Sequence, residues 1–505
     1  MELESESAPV RPGASMRRVA RNTAFMLAGE AGVKLLGFGF TVFVVRRLGA
    51  ADFGRYSAAL AFVMLFSVLT DLGSSTLSLR EIARDPGRGP SAVADAMGLR
   101  LLLSVVAIGV IPMLAWLLGQ PAEMVEGIFV ASISLVLYAA AGPVHAFVVA
   151  HERMDLASMV SVLHQALFIT AGTIALVLGK GFMGLLFSLL LAQLGAAIAI
   201  SALARARLGL RFERPVLRRL GPFLRRAMPF FFSQIGDTAM RRFDVVYLSF
   251  VVSDVFVGWY SVALNLVLML MPIGQSLSIA TFPPLLREHA AVDGQIQPTV
   301  QRAVRYVLLL SLPIAVGGSL LSDRIVSVLY TSAFAPAGAP LAFLVWALPA
   351  LFVSEILGYI ALTLNRERGM ARISMTAVVF TAALVAAGVT AFGLVGAAAA
   401  AATSRWCIAA AVLSLVGRPL VLAGNVGRLT RIAAAAAVMG VGVAILEHNP
   451  GALPESPAAA LVVLIAGGGA LYGLAVLALK AVDLRETAFL WNTASQFIRR
   501  VAPRA

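Results

Sequence analysis

What most limits how this chain can fold is the spacing of its polar breaks. Apolar runs of 17–25 residues follow one another along nearly all of its 505 residues, parted by short polar segments. A hydrocarbon layer of about 30 Å is crossed by about 20 helical residues. Backbone polar groups that cannot reach water must pair inside the run, and a helix is the structure in which a single run does that. Each run therefore reads as a membrane-spanning helix. The chain is 60% hydrophobic and 13% charged, against about 45–50% and about 25% in soluble domains, so the excess apolar residues are the spans themselves.

The expected fold class is all-α, a polytopic membrane protein of about fourteen transmembrane helices. Six spans (22–45, 57–79, 99–118, 126–149, 156–178 and 182–203) precede a polar break. Six more follow it (228–250, 257–281, 306–322, 339–363, 373–391 and 394–416), and two (432–448 and 458–479) close the series. The expected organisation is an N-terminal segment 1–21, a six-helix bundle 22–203, a basic linker 204–227 and a second bundle 228–416, then two additional helices within 417–480 and a tail 481–505. The first span, which contains Glu30 and Lys34, is read as retained, because a cleavable signal peptide has a shorter, uncharged core.

Positive charge sets the orientation. With the N-terminus in the cytoplasm, the cytoplasmic segments carry 30 of the 40 Lys and Arg residues and the outer loops carry 5. The linker stretch Arg205–Arg226 alone holds eight arginines. Both termini are thus expected in the cytoplasm. The net charge of +14 is spread over all these segments, which fits topology signals and contacts with anionic headgroups and argues against nucleic-acid binding.

The two bundles echo each other. GRYSAAL at Gly54–Leu60 and GWYSVAL at Gly258–Leu264 differ at two of seven positions, 204 residues apart; LREIA at Leu79–Ala83 and LREHA at Leu286–Ala290 lie 207 apart. Two nearly equal offsets indicate duplication. Six spans separate the copies, so the halves enter the membrane from the same side as parallel repeats, an arrangement found in transporters that rock two bundles around a central cleft.

Charges inside spans are costly, about 2.5–3.5 kcal/mol each on insertion scales, and are expected at a polar lumen or in pairs. Glu30 and Lys34 in the first span, and Asp237 and Arg241 in the seventh, stand four apart on one helical face. Asp237, Arg241 and Asp244 follow i, i+4, i+7 spacing, which sandwiches Arg241 between two carboxylates. Arg242 is turned by about 100°, has no acidic neighbour on its face, and is the first choice for an anionic substrate group. Asp71, Glu355 and Arg405 are further deep charges. Arg100, near the end of its span, is expected to snorkel. His145, His164 and Gln165 are expected to be core polar residues satisfied by neighbouring helices, and Cys407 a small packing residue. Pro112, Pro143, Pro272, Pro313 and Pro349 are expected to kink their spans.

No phosphate-binding G-x-x-x-x-G-K-[ST], H-E-x-x-H, C-x-x-C or G-x-S-x-G pattern occurs. The outer loops are short, which disfavours a membrane glycosyltransferase, and no cofactor, metal or enzymatic activity is expected.

The stretch RRLGAADFGRYSAALAFVMLFSVLTDLGSSTLSLREIAR, Arg46–Arg84, resembles the opening of polysaccharide-transport flippases. Their superfamily also holds multidrug extruders and the lipid II flippase, and the polysaccharide and lipid II branches share the count of twelve core helices plus two. The resemblance implies transfer of an undecaprenyl-pyrophosphate-linked oligosaccharide from the cytoplasmic to the outer leaflet of the inner membrane, for O-antigen or exopolysaccharide assembly. It also implies a cationic lumen, matched here at Glu30, Lys34, Asp71, Asp237, Arg241 and Arg242. The substrate candidates are then Arg242, Arg241, Lys34 and Arg405. The lumenal acids are Glu30, Asp71, Asp237, Asp244 and Glu355, which would bind H⁺ or Na⁺ and couple flipping to an ion gradient. Implied partners are membrane lipids, a polysaccharide polymerase and chain-length machinery. A lipid II flippase, a multidrug/cation antiporter and a membrane glycosyltransferase are the alternatives.

Overall fold

The computed structural model describes residues 12–290, 296–449, 451 and 453–481; within these, side chains at 12–31, 86, 229, 232–242, 279–280, 282–284, 286–290 and 367 are not described. The N-terminal half comprises α1 (Pro12–Asp71), α2 (Ser74–Arg84), α3 (Gly89–Leu117), α4 (Ala122–Ala150), α5 (Met154–Val177) and α6 (Gly181–Leu208). The C-terminal half comprises α7 (Leu217–Val251), α8 (Asp254–Leu268), α9 (Met271–Ala290), α10 (Gln297–Leu320), α11 (Ser322–Leu329), α12 (Gly338–Leu344), α13 (Ala347–Thr363) and α14 (Glu367–Val416). A short α15 (Arg418–Leu422) leads to α16 (Val426–Glu447) and α17 (Pro457–Ala478). Among the described residues there is no strand.

Ten stretches among the described residues, nine single helices and Asp254–Ser278 across α8 and α9, are long and apolar enough to cross a membrane, and Ser332–Leu344 with Ala347–Thr363, bent by 44°, has the length and composition for one more. Two of the ten are double. Gly49 leaves helical geometry in α1 at φ 76°, and Phe392–Gly393 do so in α14. A left-handed φ suits glycine, so each break turns one long helix into two spans. With α7, on which the seventh span was placed, the fourteen expected spans all have a helix.

The boundaries moved where turns intervene. The second span was expected to run to residue 79 but stops at Asp71, because Leu72 and Gly73 both take positive φ before α2 begins. The eighth breaks between α8 and α9, just before Pro272. Pro112, Pro143 and Pro313 stay inside helices that run on through them.

Side chains such as Val105, Trp116, Val177, Val379 and Val462 are each more than 60% exposed. In water this would be an aggregating surface; around a bundle of spans it is the lipid-facing belt. Cys407 belongs to it: the residue is exposed, so the expected packing role is not what the structure shows.

The two halves meet where α1, past its break, crosses α8. A Cβ on Gly54 would lie 1.9 Å from the Asp254 carbonyl oxygen, and one on Gly258 would lie 2.1 Å from that of Ala50. Asp254 and Ala50 each stand four residues before the opposite glycine. The contact is therefore reciprocal, as a two-fold axis between duplicated halves requires. The repeated heptapeptides share their glycine because both copies need a bare backbone at one crossing.

At the other end, Leu77 of α2 and Ala96 and Leu99 of α3 share an apolar cluster with Leu220, Phe223 and Ala227 of α7, and Glu81 pairs with Arg226. The linker expected at 204–227 is thus partly helix, with α7 starting at Leu217.

Candidate functional site

Among the described residues, three partly open cavities and one ion-pair cluster carry the polar chemistry. The first cavity, of about 520 Å³, lies between the halves next to the Gly54–Gly258 crossing. Its walls include Tyr56, Ser57 and Met64 of α1, Phe168 of α5, Asn265 and Met269 of α8, and Pro272 of α9. Lys34 is the one charged residue among the described residues of its lining. Lys34, a substrate candidate in the sequence reading, is exposed at this wall. Glu30, Asp237, Arg241 and Arg242 lie outside the described side chains, so neither the Glu30–Lys34 pair nor the Arg241 sandwich has a described geometry.

The second cavity, of about 330 Å³, lies inside the C-terminal bundle and brings together Asp244 of α7, Glu355 of α13 and Arg405 of α14. Asp244 is buried, 3% exposed, and accepts a hydrogen bond of 2.7 Å from the Tyr260 hydroxyl. Three residues singled out far apart in sequence thus share one chamber, but within a bundle rather than between bundles.

Asp71 ends α1 inside the N-terminal bundle. Its Oδ1 accepts from the Ser75 hydroxyl at 2.7 Å and from the Ser74 hydroxyl at 3.2 Å, and lies 3.2 Å from Arg100 Nη1. Arg100 is 8% exposed and also donates to Ser75 at 2.9 Å. It does not snorkel. A guanidinium this far inside the bundle is retained because a carboxylate and a hydroxyl compensate it. The third cavity, of about 680 Å³, sits beside this pair and is lined by His145, His164 and Gln165 as well as Arg100. His164 was expected to be satisfied by neighbours, yet its Nε2 has no hydrogen-bond partner.

At the crossing, Arg55 of α1 ties three elements together. Its Nε donates to Asp254 Oδ2 at 2.9 Å, and its Nη1 lies 2.9 Å from Glu123 at the start of α4 and 3.4 Å from Asp52. Arg46 adds hydrogen bonds of 2.7 and 2.8 Å to the carbonyls of Leu329 and Val328, the unsatisfied last turn of α11. Gln120 donates to the Ser249 carbonyl at 3.0 Å. Sequence reading passed over these residues, though the signal was present: Arg55 occupies the first differing position of the repeated heptapeptide, where the second copy has Trp259. The duplicated backbone needs the glycine; the two copies differ where one half must reach the other.

Two bundles of helices thus meet at a reciprocal crossing beside an interlobe cavity. The solved structures agree on the fold. The chain superposes on a lipid II flippase, MurJ, in an inward closed conformation with TM-score 0.74 at 11% identity, covering 89% of this chain and 97% of that one. It superposes on an inward-facing multidrug resistance MATE family transporter with TM-score 0.63 at 16% identity, covering 77% and 94%. Against an outward-facing MATE family transporter the score is 0.54 at 15% identity, covering 82% and 99%. Among curated proteins no sequence match reaches significance. The family is set by sequence: the model of the polysaccharide biosynthesis protein family matches residues 19–288, more than half the chain, and the chain belongs to that family.

Proposed function

We propose that the protein is a flippase that carries an undecaprenyl-pyrophosphate-linked oligosaccharide from the cytoplasmic to the outer leaflet of the inner membrane. The observation that carries this reading is the interlobe cavity with Lys34 on its wall. A sugar-pyrophosphate headgroup is polar and anionic, so its passage needs a cation in a space that opens between two bundles while the lipid tail stays in the bilayer. Membership of a polysaccharide biosynthesis family supports a glycan as cargo. Arg241 and Arg242 add to the cationic site on this reading, and Arg405 with Asp244 and Glu355 forms a chamber in which H⁺ or Na⁺ exchange would couple to transport. Asp71 is assigned a structural role with Arg100 rather than an ion-coupling one.

Transport on this reading is by alternating access, with the two halves parting and closing at the crossing. On this reading the Gly54–Gly258 end faces outward and is shut, and both termini are cytoplasmic. The higher superposition score on the inward-facing than on the outward-facing MATE conformer supports such a state. Lipid II is the second reading, favoured by the likeness to a lipid II flippase over nearly its whole length.

The test is surface glycan in cells whose only copy of this chain carries Lys34→Ala or Arg242→Ala. Export falls at least about tenfold, the equivalent of about 1.4 kcal/mol of lost binding, while the membrane content of the protein is unchanged. Normal surface glycan in both variants removes the cationic-site reading. Rescue of cells lacking their lipid II flippase, without effect on surface glycan, would favour the second reading.

A further inference from the structure

The cavity inside the N-terminal bundle differs in chemistry from the one between the bundles. Its volume, about 680 Å³, is in the range of small-molecule sites, about 300–1,000 Å³. Its polar wall groups include Tyr138, His145, His164, Gln165 and Gln193 beside three hydroxyl residues, with Arg100 as the one charged residue among the described lining. Asp71, 3.2 Å away, compensates that charge. The wall therefore offers phenol, imidazole and carboxamide groups around a neutralised cation, which suits a hydroxyl-rich neutral ligand better than a phosphate.

Three wall residues carry buried polar atoms without a hydrogen-bond partner: Arg100 Nε, His164 Nε2 and Gln193 Oε1. Leaving one such atom unpaired costs about 1–3 kcal/mol, and three around a single cavity inside a membrane bundle is a concentration that packing alone does not explain. The three atoms are covered by the wall as it stands. A turn of His164 and Gln193 toward the cavity exposes a donor or acceptor and ends their deficit if a polar ligand is there, while Arg100 stays on Asp71. Tyr138, 52% exposed and lining the same space, presents a ring on which the apolar face of a sugar stacks.

Val33 lines this cavity and Lys34, the next residue of α1, lines the interlobe one. The two chambers are thus back to back across a single helix, about 10 Å thick, a distance within reach of an oligosaccharide held by its phosphate end. We infer that the N-terminal cavity is a glycan subsite that binds neutral sugar residues of the cargo and sets which glycan is accepted, while the interlobe cavity holds the pyrophosphate. This rests on the flippase reading above.

The test uses the full chain in lipid nanodiscs and two probes: undecaprenyl pyrophosphate, and the lipid-linked oligosaccharide that accumulates in cells deleted for this chain. The wild type binds the glycosylated probe more tightly. Gln193→Leu and the cavity-filling Ala196→Phe each weaken the glycosylated probe about tenfold, as expected when a site built to hydrogen-bond loses a partner or its space, and leave the bare probe within about twofold. Lys34→Ala weakens both probes. Equal losses on both probes, or no loss on the glycosylated one, overturn the inference, as does a wild type that binds both probes equally. A wild type that binds neither probe overturns the flippase reading itself. Ala196→Phe leaves every polar group in place, so agreement between the two variants separates a subsite from damage to the bundle.

Discussion

Placing a methyl group at the α1–α8 crossing perturbs one conformation selectively. In Gly258→Ala the new Cβ would start 2.1 Å from the Ala50 carbonyl oxygen, and ordinary contact begins near 3.4 Å, so the helices must part by about 1.3 Å. Gly54→Ala requires about 1.5 Å against the Asp254 carbonyl. Both obstacles are backbone, which cannot turn aside. Overpacking of this kind costs about 1–3 kcal/mol, and it is felt only while the halves are crossed. If the protein alternates between crossed and parted states, the parted state gains by roughly 5- to 150-fold. The assay is modification of a reporter cysteine, Ser57→Cys in a Cys407→Ser background, by an impermeant maleimide added outside spheroplasts. Ser57 is 7% exposed and lines the interlobe cavity. Labelling accelerates in either glycine variant and is slow in the parent. A variant that inserts normally and labels at the parent rate would refute the idea that this crossing is a gate.

Two further outcomes follow from the ion pairs. Arg55→Asp faces Asp254, Glu123 and Asp52 with a fourth acid and loosens the crossing, raising Ser57→Cys labelling a few-fold, since partly exposed pairs are worth about 0.2–1 kcal/mol each. Adding Asp254→Arg reverses the effect, and a double variant as fast as the single one would contradict the pairing. Arg100→Met leaves the Asp71 carboxylate buried without its cation and costs about 3–5 kcal/mol, seen as a lower melting temperature in detergent. Asp71→Asn combined with Arg100→Met recovers most of it; a single variant as stable as the parent would show that the pair does not hold the bundle.

The span count was legible because hydrocarbon imposes one length on every apolar run. The duplication was legible in the glycine of the repeated heptapeptide, whose reason is a backbone contact made once by both copies. The turns were less so. Leu72 and Gly73 cut a continuous apolar pattern, and nothing in hydropathy marks a left-handed residue. Site residues divided in the same way. Lys34 was read as lumenal because a charge in a span must face something polar. Asp71 and Arg100 follow the same rule, yet the sequence does not say that they meet, since their pairing depends on how α1 and α3 pack. The Arg55 cluster was hidden for the opposite reason: charges outside the spans look ordinary until Asp254 from the other half arrives beside them.

The central claim is that a pyrophosphate-linked sugar crosses through the Lys34 cavity, and reconstituted flipping measures it. With the full chain in proteoliposomes loaded with undecaprenyl-pyrophosphate-linked oligosaccharide, the fraction of glycan reached by an added glycosidase is read over time. The account predicts that the protein raises this fraction beyond the half exposed at the start, and that Lys34→Glu abolishes the rise. A wild-type protein that leaves the inner pool protected, or a Lys34→Glu protein that flips at the wild-type rate, would contradict it.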